Sequence, residues 1–119
     1  MLFCMAGLTA SAYDCEVDGI YYNLSGNEAI VTYKVEYTAS YSDNIIIPSS
    51  IVYNGNSYSV TSIGKKAFYN CSGLTSVTIP NSVRNIGYSA FTNCSGLTSV
   101  TIPNSVTTIE KYASEIVAD

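Results

Sequence analysis

The chain has 119 residues, 47% of them apolar and only 12% charged, with a formal net charge of −4. That length suits one domain and that composition excludes a disordered chain. Five scattered Lys and Arg cannot neutralise a row of phosphates, so nucleic acid is not an expected partner, and the lack of any histidine removes the commonest general base, metal ligand and pH switch.

Residues 1–12, MLFCMAGLTASA, read as a signal peptide. The apolar run over 2–8 ends in Ala10-Ser11-Ala12, the small-x-small pattern at which such leaders are cut. The run is too short to cross a bilayer as a helix, so no stable membrane insertion is expected after cleavage. The usual positive flank is missing, which allows for a start further upstream. Two other readings stay open: lipidation at Cys4, which has Phe3 where a small residue is needed, and a buried N-terminal strand. Cleavage would leave Cys15, Cys71 and Cys94, an odd number, so at least one thiol stays unpaired.

Residues 13–59 read as an N-terminal β cap leading into the first rung of a repeat. Ile20, Tyr22 and Leu24 alternate, as do Ala29, Val31, Tyr33, Val35 and Tyr37, with Ser25-Gly26-Asn27 as the turn of a hairpin. A second hairpin over 51–58 turns at Asn54-Gly55. Eight of the eleven tyrosines fall before residue 60.

Residues 60–119 are built on a period of 23. The string NCSGLTSVTIPNSV occurs unchanged at 70–83 and 93–106. Ile63, Ala67, Phe68, Cys71, Leu74, Val77, Ile79, Pro80 and Val83 recur 23 residues on, whereas polar positions vary, as in Lys65-Lys66 against Tyr88-Ser89. Stacked coils require this: inward positions pack on their own counterparts one rung away and outward positions are free. Within a rung, Leu74-x-x-Val77-x-Ile79 predicts a strand over 75–79, with Val77 and Ile79 inward and Ser76 and Thr78 outward. Pro80-Asn81-Ser82 turns the chain, Val83 and Ile86 return inward, and 65–70 and 89–93 are expected to form short helical turns. The fold class expected is mainly β with short helical turns, a leucine-rich-repeat solenoid of 23-residue rungs with an N-terminal β-hairpin cap.

The string IPNSVRNIGYSAFTNCSGLTSVTIPNSV, with the lead-in VDGIYYNL and IIIPSSIVYNGNSYSVTSIGKKAF, resembles the BspA-like leucine-rich repeat family over roughly residues 15–112. The resemblance implies an exported protein, secreted or held at the cell surface, with extracellular or host-surface proteins as partners. The C-terminus departs from the pattern. Glu110 stands where Gly is due and Ser114 where Phe is due. Either 110–119 folds as an abbreviated closing helix or the array continues, and self-association through the C-terminal rung is then expected.

Several patterns are weighed against plainer readings. Cys71 and Cys94 would stack at about 4.8 Å, within reach of a disulfide, but parallel side chains suit a ladder of buried thiols better. Asp14-x-Glu16-x-Asp18-Gly19 begins like a calcium loop, yet the twelfth position is Ser25; alternating acids on an edge strand explain it more simply. Ser62-x-x-Lys65 fits the S-x-x-K of penicillin-recognising enzymes and Ser25-Gly26-Asn27 offers an S-x-N, but the K-T-G element is absent and the chain is too short for that fold, so coincidence explains it. Asn70 and Asn93 head formal glycosylation sequons, but sit at turns that favour Asn for backbone reasons.

The outward strand row is the expected binding face: Ser76 above Ser99, Thr78 above Thr101, with Asn81 and Asn104 at the rim. It is flat, uncharged and rich in hydroxyls, the kind of surface a solenoid offers a partner. The plainer reading is that Ser and Thr only solvate a sheet. The cap tyrosines are a rival patch. No cofactor, metal or catalytic centre is expected. The function expected is a non-enzymatic, exported protein-binding or adhesion module; the alternative is a structural, self-associating piece of a longer array with no ligand of its own.

Overall fold

The computed structural model describes residues 13–113. The expected leader over 1–12, Cys4 included, and the closing segment from 114 onward lie outside the described residues. Chain order begins with an antiparallel meander of β1 (Cys15–Val17), β2 (Ile20–Ser25) and β3 (Glu28–Thr32). Ile20, Tyr22, Ala29 and Val31 are buried, as their alternation predicts. The acid-rich stretch supplies β1, the edge strand of its sheet, and a turn in which Asp18 and Gly19 both take positive φ. Asp14 accepts a hydrogen bond from the Leu24 amide at 2.8 Å, a structural use of one of those acids.

The alternation from Tyr33 to Tyr37 does not continue the strand. β3 ends at Thr32, and the Thr38 amide and hydroxyl both donate to the Val35 carbonyl, which turns the chain. Val35 and Tyr37 are consequently exposed, at 54% and 55%.

β4 (Asp43–Ile46) follows, then the hairpin of β5 (Ser50–Tyr53) and β6 (Asn56–Ile63). Asn54 and Gly55 have φ of 52° and 79°, the left-handed pair that a two-residue hairpin turn needs. Beyond it lie β7 (Leu74–Thr78), β8 (Asn85–Ile86) and β9 (Thr108–Ile109).

Two parallel ladders wind these elements into a coil. In the first, β6, β8 and β9 stack with Ile63 opposite Ile86 and Ile86 opposite Ile109, the 23-residue period made visible. In the second, β4 lies beside β7, with Ile45 opposite Val77 and Ile46 opposite Thr78. Val31 of β3 pairs with Ile63, so the cap seals the first rung by continuing its ladder. The rungs pack closely. A Cβ on Gly87 would stand 2.6 Å from the Lys65 amide nitrogen, so this position admits no side chain.

The third side corrects an expectation. The segments 65–70 and 89–93 are runs of turns, and no helix occurs among the described residues. Lys66 and Asn70 take φ of 58° and 60°, which breaks an α-helix. The amides of Lys66, Phe68 and Asn70 donate instead to the carbonyls of Tyr88, Ala90 and Thr92 on the next rung. Backbone groups that a helix would satisfy locally are thus spent on stacking.

The core runs through the coil. Phe68 and Phe91 stack with centroids 5.2 Å apart and planes 7° from parallel. Tyr41 packs on Phe68 at 4.8 Å and Tyr21 on Tyr41 at 5.8 Å, so a row of rings joins cap to repeats. Cys71 and Cys94 are buried free thiols, the packed-ladder alternative. Cys94 donates to the Phe68 carbonyl at 2.9 Å. Burial and the neighbouring Cys71 push the Cys94 thiol up to about 12.

Candidate binding surfaces

The six expected site residues are all exposed: Ser76, Thr78, Asn81, Ser99, Thr101 and Asn104. Their arrangement differs from a regular hydroxyl ladder. Residues 97–101 repeat the sequence of β7 but form no strand, and no backbone hydrogen bond joins them to it. β7 pairs with β4, whereas 97–101 pairs with no strand among the described residues. A shallow depression of about 480 Å³ lies between the two segments. Thr78 and Asn81 line one wall, Thr101 and Asn104 the other, and Ile79 and Ile102 lie beneath.

Ser76 is not a free hydroxyl. It donates to Asn44 Oδ1 at 2.7 Å, and Thr75 donates to the same oxygen at 2.9 Å. Asn44 and Ile46 of β4 therefore extend this face, and Ile46 is 71% exposed beside Thr78. Sequence reasoning left both residues out. The signal was present: IIIP at 45–48 aligns with VTIP at 77–80, but an isoleucine at the outward position hides the correspondence.

The rival tyrosine patch divides. Tyr41 and Tyr22 face the core. Tyr41 donates to the Thr32 carbonyl and accepts from the Tyr21 amide, whereas the Tyr22 hydroxyl is buried without a hydrogen-bond partner. Burial raises the pKa of both phenols. Tyr37 instead faces outward and meets Tyr69 of the repeats edge-on at 5.5 Å.

Asn70 and Asn93 serve the stack. Asn93 Nδ2 donates to Asn70 Oδ1 at 2.9 Å, and Asn70 Nδ2 donates to the Tyr37 carbonyl at 2.9 Å. Both take positive φ, as Asn tolerates. At the cap, Glu28 accepts from the Thr61 hydroxyl at 3.0 Å and pairs with Arg84 at 3.2 Å. Among the described residues no cluster of three or more metal-binding side chains comes together, and no helix is long and apolar enough to cross a membrane.

A family model described as "BspA type Leucine rich repeat region (6 copies)" matches residues 37–115, two thirds of the chain. The chain belongs to the BspA-type leucine-rich repeat family. The BspA-type coil also has solved counterparts. A leucine-rich repeat protein from Bacteroides ovatus is 38% identical, with a TM-score of 0.70 over 80% of this chain and 25% of that one. A leucine-rich repeat protein from Bacteroides capillosus is 27% identical, with a TM-score of 0.70 over 88% of this chain and 86% of that one. A leucine rich cell surface protein from Faecalibacterium prausnitzii is 25% identical, with a TM-score of 0.52 over 90% of this chain and 34% of that one. This BspA-type chain thus spans a quarter of the length of the Bacteroides ovatus protein. No curated protein matches it.

Proposed function

We propose that the chain is an exported, non-enzymatic binding module that engages extracellular or host-surface proteins through its strand face. The observation that carries this reading is the depression between β7 and 97–101, with exposed Thr78, Asn81, Thr101 and Asn104 around an apolar floor. Hydroxyls and amides over a partly apolar base suit many weak contacts with a polypeptide, and display on a surface multiplies them. The similar Faecalibacterium prausnitzii protein, described as a cell surface protein, supports the location. No histidine is available to activate a hydroxyl in this row, which supports binding over turnover. The test is the double variant Thr78→Lys/Thr101→Lys against immobilised extracellular matrix proteins. Loss of binding with an unchanged thermal transition is expected, and full retention would remove the strand face from the reading.

A second reading has its own observation. Ile109 of β9, the last described strand of the first ladder, is 47% exposed, whereas its counterpart Ile86 is 1% exposed. Self-stacking through that edge would cover it. A concentration-dependent mass in solution is expected from this reading, and a monomer at every concentration contradicts it.

A further inference from the structure

The runs of turns carry a second groove, of about 400 Å³, on a different side of the coil from the strand face. Four tyrosines line it: Tyr37 from the cap, and Tyr69, Tyr88 and Tyr112 from three successive rungs. The rings meet edge-on, Tyr37 against Tyr69 at 5.5 Å and Tyr88 against Tyr112 at 5.7 Å. Tyr37 and Tyr112 are 55% and 42% exposed.

Lysines gather here. In a chain of net charge −4 with five cations, three stand over these rings. Lys66 Nζ lies 4.2 Å from the Tyr37 centroid, Lys111 Nζ 5.1 Å from that of Tyr112, and Lys65 Nζ 6.0 Å from that of Tyr88. Lys66 also donates to the Tyr37 hydroxyl at 2.8 Å and pairs with Glu36 at 3.5 Å. The Tyr37 bond, ahead of the Glu36 charge, raises the Lys66 pKa and keeps it cationic.

Hydroxyls complete the lining. Ser89 and Thr92 lie between the rings, and Thr92 Oγ1 is buried with no hydrogen-bond partner. Aromatic faces suit the C–H face of a sugar ring. Hydroxyls that both donate and accept match sugar hydroxyls, and ammonium groups match a carboxylate or sulfate. An acidic peptide would use the lysines but leave the rings and the hydroxyls without partners. Rings from successive rungs, spaced at about 4.8 Å per rung, present platforms in a row to a chain of such units.

We propose that this groove binds an acidic saccharide, with the tyrosines stacking on its rings and Lys65, Lys66 and Lys111 meeting its anionic groups. The full chain is tested by affinity electrophoresis in gels containing hyaluronate, polygalacturonate, chondroitin sulfate, neutral dextran or poly-glutamate. Retardation by at least one acidic polysaccharide is expected, weakening with salt, with dextran inert and poly-glutamate at least about tenfold weaker. Tyr88→Ala should weaken the interaction by about tenfold. Lys65→Gln/Lys111→Gln, both exposed and so safe for folding, should weaken it and flatten its salt dependence. Thr78→Lys/Thr101→Lys should leave it intact, which separates this groove from the strand face. The proposal is overturned if no acidic polysaccharide retards the chain, if poly-glutamate binds as well, or if both groove variants bind like the parent.

Discussion

Ile86 and Ile109 face each other across the β8–β9 ladder, 23 residues apart in the same position of successive rungs, yet 1% of one and 47% of the other is exposed. The same gradient runs down the repeated string. Val77, Ile79 and Val83 are buried, whereas Val100, Ile102 and Val106 are only partly so. Identical residues thus meet different surroundings according to what lies on the next rung, and the energetic value of each is set by its neighbour.

Ile86→Ala should therefore cost about 2–5 kcal/mol, the range for truncating a buried isoleucine, and Ile109→Ala below about 1 kcal/mol. Urea titrations of the two variants measure this directly. Equal losses would mean that β9 is covered in solution.

The Asn70 side chain ties the second rung to the cap, and its φ of 60° adds a backbone requirement. Asn70→Gly keeps the conformation but removes both hydrogen bonds, and should cost about 1–3 kcal/mol. Asn70→Ala should cost about 1–2 kcal/mol more, because alanine is strained in the left-handed region. If the two variants unfold at the same urea concentration, the strain argument fails.

Two buried tyrosines should respond oppositely to loss of the hydroxyl. Tyr22 buries its hydroxyl without a partner, whereas Tyr41 uses its own twice, at the Thr32 carbonyl and the Tyr21 amide. Tyr22→Phe should leave the thermal midpoint unchanged or raise it. Tyr41→Phe should lower stability by about 1–3 kcal/mol, since it strands a carbonyl and an amide. The reverse order in circular dichroism melts would contradict the hydrogen-bond assignment.

Alkaline stability reports on the thiol ladder. Burial, then Cys71, raises the Cys94 pKa from 9.0 to about 12, and burial raises Cys71 as well. A folded pKa above the unfolded one gives stability that is complete below pH 9 and is lost as pH rises toward 12. The buried phenols of Tyr22 and Tyr41 act with the same sign. Midpoints should hold steady from neutral pH to about 9 and then fall, less steeply in Cys94→Ala. Parallel alkaline limbs for parent and variant would show that Cys94 is not a source of the decline.

Much of this was legible because stacking writes itself into sequence. The period of 23 gave the Ile63–Ile86–Ile109 register, and Asn54-Gly55 marked its hairpin. What escaped reading depended on neighbours rather than on residue type. The run at 65–70 opens with good helix formers, but the next rung's carbonyls take the amides of Lys66, Phe68 and Asn70, and Lys111 takes that of Ser89. The second copy of β7 is not a strand despite an identical sequence: β7 pairs with β4, whereas 97–101 pairs with no strand among the described residues. The tyrosine groove draws on four positions with no common spacing, so no periodicity could announce it. Of the binding candidates, Thr78, Asn81, Thr101 and Asn104 meet at one depression, and Ser76 turned out to be engaged by Asn44.

Two identical fourteen-residue copies pose a problem of address during folding, since either could settle on the cap. The differences between the rungs resolve it. Lys66 and Tyr69 carry the ion pair to Glu36, the hydrogen bond to Tyr37 and the ring contact with Tyr37. In the next rung those positions are Ser89 and Thr92. A chain that slipped by one whole rung would lose all three contacts and set Arg84 where Thr61 now meets Glu28, while looping out 23 residues. The variable polar residues thus act as a key that only the first copy can turn.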